Sequence, residues 1–387
     1  FVSGVGSEDT FGLAQVLDEN DFVSEFQLAK KSSAIHACSF LTVSSGDVQS
    51  GEPDVLILPR AADSAGALWD KRRRAIRGFL SIVEMGDTGP TEMVMYTWER
   101  AYLMTKASGR WVTTWVPHAL GEVPVARLPF APELNRPFGH SRISRTAMGL
   151  TDAAVRTVLR AEVSAEFYAA DKYWLFGADV TKFVGDDKWS ALMGRMNAID
   201  QEVGEEIRVQ RFSGASPQPH TDQLRMLKSQ FADDQNLPES WADASNPSSA
   251  DAIYAAKEDL IMETRDQNRI WGRGAVKAMQ LAVRLRDGVD AVPDELRTLQ
   301  AQFTDPAIVS PSARADAFSK LATNIEGFGA TEVGMEYAGL DRGQIARLQA
   351  ERRRSQVGSL VESLRASADQ AVTDPVVAAV ASQRTVE

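Results

Sequence analysis

Between Cys38 and Pro117 the chain breaks into six short segments rich in β-formers: "CSFLTVSS", "DVLILPR", "RAIRGFLSIVE", "TEMVMYTWE", "RAYLMTK" and "RWVTTWV". Turn chemistry separates them: Ser45-Gly46, Gly51-Glu52-Pro53, Gly86 to Pro90 and Ser108-Gly109. Short apolar runs with tight turns between them pair most readily with their sequence neighbours. The spacing therefore predicts an antiparallel meander over residues 38–117. Trp69, Trp98, Trp111 and Trp115 supply much of its apolar surface.

On either side of the meander the period becomes helical. Phe22, Phe26, Leu28, Ala29 and Ile35 predict a helix over 19–36. The stretch "GEVPVARLPFAPELNRPFGHSRIS" (121–144) reads as a proline-rich connector. Met148, Val155, Leu159, Val163 and Tyr168 then predict a helix over 142–171, about 45 Å long at about 1.5 Å per residue. Thr151-Asp152 would cap a later start. Residues 173–218 are mixed: "YWLFGA" and "EIRVQRF" are strand-like, and "DDKWSALMGRM" is a short helix. His220–Phe231 is helical.

A longer helical pattern runs from Ala250 to Arg286, with Asn246 or Ser249 as cap and Asp251 in the first turn. It has two odd features. "RDQNR" (265–269) interrupts the apolar stripe, and Gly272 and Gly274 lie inside the helix. Each interior glycine costs about 1 kcal/mol against alanine, so a kink is expected there. The C-terminal third is helical in three pieces, the last capped by Asp341, and the final twenty residues read as a frayed tail. The fold class is α+β.

Composition narrows the function. A hydrophobic fraction of 44% over 387 residues supports a sizeable core. The net charge of −11 argues against a broad basic surface that wraps nucleic acid. The only cysteine, Cys38, leaves no internal disulfide and no Cys-rich metal site. No apolar run reaches the length that spans a membrane. The sequence opens on Phe1, so a longer natural chain is expected. Phosphate-loop, nucleophile-elbow and zinc-protease patterns are all missing, and "GVGSEDTFG" has neither a preceding strand nor a third glycine in place.

His36, His118, His140 and His220 are scattered, which suits exposed or capping roles better than metal ligation. His36 and Cys38 suggest packing, and the carboxylate runs suggest solvated faces. The basic runs are "KRRRAIR" (71–77), on a hairpin turn, and "AERRRSQ" (350–356), on a helix. Neither is interleaved with aromatic residues as in single-strand binders. Solvated faces explain them, with contact to nucleic acid or to acidic neighbouring subunits as the alternative. No catalytic residues, metal or cofactor are expected.

The order of these pieces resembles the portal proteins of tailed bacteriophages, especially long-tailed phages of actinobacteria. The resemblance rests on "ALWDKRRRAIRGFLSIVE", on "HALGEVPVARLPF" running through "FGHSRIS" into a long helix, and on "FSGASPQPHTDQLRMLKSQFADDQNLPESW" followed by "NPSSADAIYAAKEDLI". It implies a portal-type fold: a β-rich wing (1–140), a stem helix (141–172), a small α/β clip (173–218) and a second stem helix (219–235). A tunnel loop (236–249), a long kinked wing helix (250–290) and a crown with its tail (291–387) follow.

The implied function is a ring, usually of twelve copies, at one capsid vertex of the virion, assembled in the host cytoplasm. DNA is packaged through it by the terminase and later ejected. Partners would be further copies of the chain, the terminase large subunit, a head-tail adaptor, the major capsid protein and scaffold. Double-stranded DNA would pass without sequence-specific contacts. The implied DNA-channel residues are Pro238, Trp241, Asn246, Pro247, Ser248 and Ser249, whose uncharged groups can touch phosphates without strong adhesion. Arg352, Arg353 and Arg354 would be basic contacts of the crown, and Gly272 and Gly274 the helix kink. The polar middle of that helix would face neighbouring subunits. Two alternatives stay open: a ring or scaffold of virion assembly that binds proteins only, and an enzyme built around His118, His140 and nearby carboxylates.

Overall fold

Strand β1 (Cys38–Ser45) is buried on both faces, and the architecture follows from that. Alternate side chains of a strand point to opposite sides. Leu41 and Val43 enter one apolar cluster, and Cys38 and Phe40 enter another. The first cluster lies under helices and the second under a second sheet. The computed structural model describes residues 9–168, 172–176, 196–199, 208–212, 216–238, 257–307, 311–340 and 342–373. It divides into two units, Phe1–Pro306 and Ala307–Glu387.

The first unit begins with α1 (Leu13–Glu19) and α2 (Phe22–His36). The helix expected over 19–36 is α2, which starts three residues later, and α1 is a further short helix before it, separated by Asn20-Asp21. Asp21 has a positive φ of 40°, and Asn20 has a separate task. Its Nδ2 donates to Val55 O at 2.9 Å, and its Oδ1 accepts from Ile57 N at 2.8 Å. The side chain thereby pairs with the free edge of β2 (Val55–Ala61). Propensity alone gives no hint of this long-range bond.

The meander is corrected in the same way. Strands β3 (Ala65–Asp70), β4 (Ala75–Gly86), β5 (Gly89–Tyr96), β6 (Arg100–Ala107) and β7 (Arg110–Pro117) form a five-stranded sheet in chain order. Strands β1 and β2 leave it and form a three-stranded sheet, order β2-β1-β8, with β8 (Val125–Pro129). Strand β8 lies inside the expected connector. Its prolines flank the strand, where a missing N–H is tolerated, and its five residues are largely buried. The buried face of β3–β7 contributes Ile76, Phe79 and Tyr96 to the cluster beneath β1.

The other face of β2-β1-β8 is covered by α2 and by a thirty-residue helix. Helices α3 (Arg145–Tyr168) and α4 (Gln218–Asp234) come before it in sequence, and α5 (Glu258–Asp287) is the long helix itself. Leu281, Ala282 and Val283 of α5 are fully buried. At Gln267 the polar run 265–269 turns into this chain's own core, while Asp266 and Arg269 stay exposed. Gln267 is buried: its Nε2 donates to Pro129 O and its Oε1 accepts from Ala131 N, both at 2.9 Å. Arg265 forms a two-pronged pair with Asp305. The short helix α6 (Asp294–Arg297) also belongs to this unit, with Leu296 and Leu299 in its first core cluster.

Between α3 and α4 in sequence, β9 (Lys172–Phe176), β10 (Met196–Ile199) and β11 (Arg208–Phe212) form a small sheet. Its order is β10-β9-β11, with β10 parallel and β11 antiparallel to β9. Both strand-like readings in this lobe are met. The short helix expected over 186–196 falls mainly outside the described residues.

The second unit holds α7 (Pro311–Asn324), α8 (Glu332–Tyr337) and α9 (Arg342–Thr373). The Phe328 ring lies 6.3 Å from Phe318, tilted, and 6.3 Å from Tyr337, edge to face, and Met335 and Ile345 are buried.

Candidate functional site

Helix α3 has its large and small residues on unexpected sides. Ala147 and Thr157 are buried, and Ala153, Ala154, Ala161 and Ser164 are half-buried. These small residues recur at helical spacing on the sheltered face, and the helix packs against α4. Met148, Val155, Leu159 and Val163, the apolar stripe visible in the sequence, are each more than half exposed. A lone soluble helix buries its large apolar residues and exposes its small ones. Here a whole apolar stripe is left uncovered.

The start of α3 lies beside the end of α4. Ser144 Oγ accepts from Ala147 N at 2.8 Å and donates to Asp234 Oδ2 at 2.5 Å. The helix cap is therefore Ser144, not Thr151, whose hydroxyl donates back to Ala147 O. The bond from Ser144 is the chief cause that lowers the Asp234 pKa. The chain thus leaves along α3 and returns along α4 to the same place, with β9–β11 between them in sequence.

At that place the segment expected to be a channel loop departs. Helix α4 closes with a double C-terminal lock: Asn236 N donates to Asp233 O at 3.3 Å and Leu237 N to Ala232 O at 2.8 Å. Asn236 takes the left-handed conformation this needs, φ 49°. Its Nδ2 donates to Glu263 Oε2 of α5 at 3.2 Å. Arg142 Nη2 reaches Gln235 O at 3.0 Å and the same Glu263 oxygen at 3.4 Å. One guanidinium and one carboxylate therefore tie the departure of the loop to the helix that receives it. Pro238 is buried just beyond this base. Trp241, Asn246, Pro247, Ser248, Ser249 and Asp251 lie outside the described residues.

Gly272 and Gly274 are both buried, in contact with other elements. A Cβ on Gly274 would collide with Leu128 Cδ2 and come within 2.6 Å of Arg127 O, on β8. A Cβ on Gly272 would stand 3.1 Å from the Phe303 ring and 3.3 Å from Ala301. Close approach of the helix to β8 gives Gly274 a packing reason of its own.

The histidines stay apart. His118 Nε2 bonds Thr97 O at 3.0 Å beside the β5–β6 turn, and burial, before the effect of that bond, lowers its pKa. His140 lines a different cavity and stands 4.0 Å from Glu133. Cys38 is buried and its pKa is pushed up to about 12, mainly by burial, so it is an inert packing residue. The basic turn is held by Asp70, whose Oδ1 accepts from Arg72 N at 2.8 Å and Arg73 N at 3.0 Å. The structure adds an aromatic partner that linear spacing hides: the Arg73 guanidinium lies 4.0 Å over the Trp98 ring. Arg352, Arg353 and Arg354 are exposed on α9, which is exposed all round over 351–359.

Residues 2–358 match the family described as "Phage portal protein, SPP1 Gp6-like". The chain belongs to this phage portal family. Among similar proteins, the portal protein of Mycobacterium phage D29 is 30% identical over 341 residues, covering 84% of this chain and 69% of that protein. The portal protein of Mycobacterium phage L5 is 32% identical over 257 residues, covering 64% of this chain and about half, 51%, of that protein. Family membership bears out the resemblance read from the sequence and makes this a bacteriophage structural protein with a portal function. The scaffold alternative is not favoured. Among the described residues, no helix is long and apolar enough to cross a membrane.

Proposed function

We propose that copies of this chain form a closed ring at one capsid vertex of the virion, around a channel for double-stranded DNA. The observation that carries this reading is the exposed apolar stripe Met148–Val155–Leu159–Val163 on α3. An uncovered stripe on a long helix is what a neighbouring copy would cover, since subunit contacts commonly bury about 2,000–5,000 Å². Strand β7 adds a second uncovered surface. It is an edge strand exposed along its whole length, with Trp111, Trp115 and Val116 outward. Long apolar edges invite association.

In this ring α3 and α4 act as the stem, β9–β11 as part of the clip, and 236–249 as a loop projecting into the channel. The family pattern and the fixed base at Arg142, Asn236 and Glu263 support that placement. Trp241, Asn246, Pro247, Ser248 and Ser249 would meet DNA through uncharged groups, while Pro238, buried, would stiffen the base of the loop. Arg352, Arg353 and Arg354 would face packaged DNA or a neighbour. We assign no catalytic step. Terminase would act on one end of the ring, and the head-tail adaptor would attach there after packaging. The usual copy number of twelve, the capsid and scaffold contacts and assembly in the host cytoplasm complete the reading.

The purified chain viewed end-on by electron microscopy should show rings with a central hole. Deleting 240–247 should leave the rings intact and lower DNA packaging or retention. Monomers alone at micromolar concentration would refute the ring, and packaging at the wild-type yield would refute the loop's role.

A further inference from the structure

A second cavity in the first unit, of about 410 Å³, opens between the β3–β4 turn, β8 and α5. Four cationic side chains line it: Arg74, Arg127, Arg273 and Lys277. Its one lining carboxylate, Glu122, is already engaged. It pairs with Lys277 Nζ at 2.7 Å and with the buried Arg284. Arg74 and Arg273 are exposed, and their side chains make no ion pair or hydrogen bond with any described residue. The cavity therefore holds an excess of positive charge in a chain whose net charge is −11.

Arg127 is the fixed member of the set. Its guanidinium stacks 4.5 Å over the Trp69 ring and donates through Nη1 to Pro137 O. Stacking leaves the other N–H groups of the planar fork aimed along the ring plane, and such a held fork suits a carboxylate or phosphate. Burial pushes the Arg127 pKa down, Cys38 opposes this, and the like charge of Arg74 lowers it again. The cost of holding these cations together is relieved when an anion enters.

We propose that this cleft is a docking site for the acidic side chains of a partner protein segment, held by Arg127 between Arg74, Arg273 and Lys277. Size decides against a duplex. The cavity takes a few side chains, and the half-buried Arg127 lies too deep for phosphates on a rod about 20 Å wide.

The test titrates the full chain into a labelled oligoglutamate peptide and follows anisotropy, with a duplex DNA oligonucleotide and inorganic phosphate as competitors. Arg74→Gln with Arg273→Gln should weaken the peptide at least about tenfold, as loss of charge-assisted bonds does. Lys71→Gln with Arg72→Gln removes the same charge from the same turn outside the cavity, and should leave affinity within about twofold. Phosphate should compete only weakly. The proposal is overturned if the wild-type chain does not bind the peptide, if both double variants lose affinity equally, or if duplex DNA displaces the peptide more effectively than unlabelled oligoglutamate.

Discussion

Gly274→Ala separates the packing account of α5 from a local account of its glycines. By helix propensity alone the change should stabilise, because an interior glycine costs about 1 kcal/mol against alanine. The structure reverses the sign. The new methyl group would overlap Leu128 Cδ2 and sit 2.6 Å from Arg127 O. The leucine could turn aside, but the carbonyl belongs to β8, which is paired with β1 from Cys38↔Pro129 to Thr42↔Val125. Moving it would disturb a strand that also anchors Gln267 and Ser33. Overpacking of this kind costs about 1–3 kcal/mol. Because backbone must move, the upper part of that range applies, and after the propensity gain a net loss of about 1–2 kcal/mol remains.

Two other glycines calibrate the measurement. Gly149 on α3 has open space around it, so Gly149→Ala should stabilise by up to about 1 kcal/mol. Gly272→Ala meets only a ring edge and a methyl group that can shift slightly, so it should fall between the two. Urea unfolding of the full chain followed by tryptophan fluorescence reads all three, with Trp69, Trp98 and Trp271 reporting on the first unit. Gly274→Ala at or above wild-type stability would refute the close-approach reasoning. Equal behaviour of Gly272→Ala and Gly274→Ala, with loss of ring assembly and no loss of stability, would favour the kink instead.

Two further outcomes are expected. Glu122→Gln should cost about 3 kcal/mol in the same unfolding assay, because it removes the charge partner of an Arg284 guanidinium that is 4% exposed. Arg284 keeps Leu120 O and Asp290 O, so the low end of the range for broken buried pairs applies, and an unchanged midpoint would show the pair is idle. Acidification should destabilise through His118. Its folded pKa lies below the ordinary 6.5, so its contribution is present above that value and is lost as pH falls through the folded pKa. Comparing the wild type with His118→Gln at pH 7.5 and pH 5.5, about a unit on either side of the ordinary value, should show the larger acid loss in the wild type. Equal losses would remove His118 from the account.

Local chemistry made much of the fold legible. The meander strands β4–β7, the turn at 71–74, helices α3 and α4 and both strand readings in the small lobe were visible as apolar period and turn residues, whereas β3 was not among the segments read as strands. The portal family was legible too, from phrases spread along the chain. The base of the candidate loop was harder to see. Arg142, Asn236 and Glu263 lie far apart in sequence, and no spacing rule joins them. The only local signal was Asn236, an asparagine just past the end of a helical period, which is a usual place for the left-handed lock.

The sequence by itself determined most of the strands and helices, though not such elements as α1, β3 or β8, because period and turn chemistry act within about ten residues. It also set the acidic balance of the chain and its portal kinship. Only the tertiary structure decided that β1 and β2 abandon the meander for β8, that Asn20, between α1 and α2, closes a strand edge, and that Gln267 turns inward. Each of these depends on hydrogen bonds between residues distant in the chain. The tertiary structure also decided which face of α3 is covered. Its apolar stripe was plain in the sequence, yet the small residues pack on α4 and the large ones stay outside. Periodicity shows that a helix has two faces, and only the packing of its neighbours decides which one is buried.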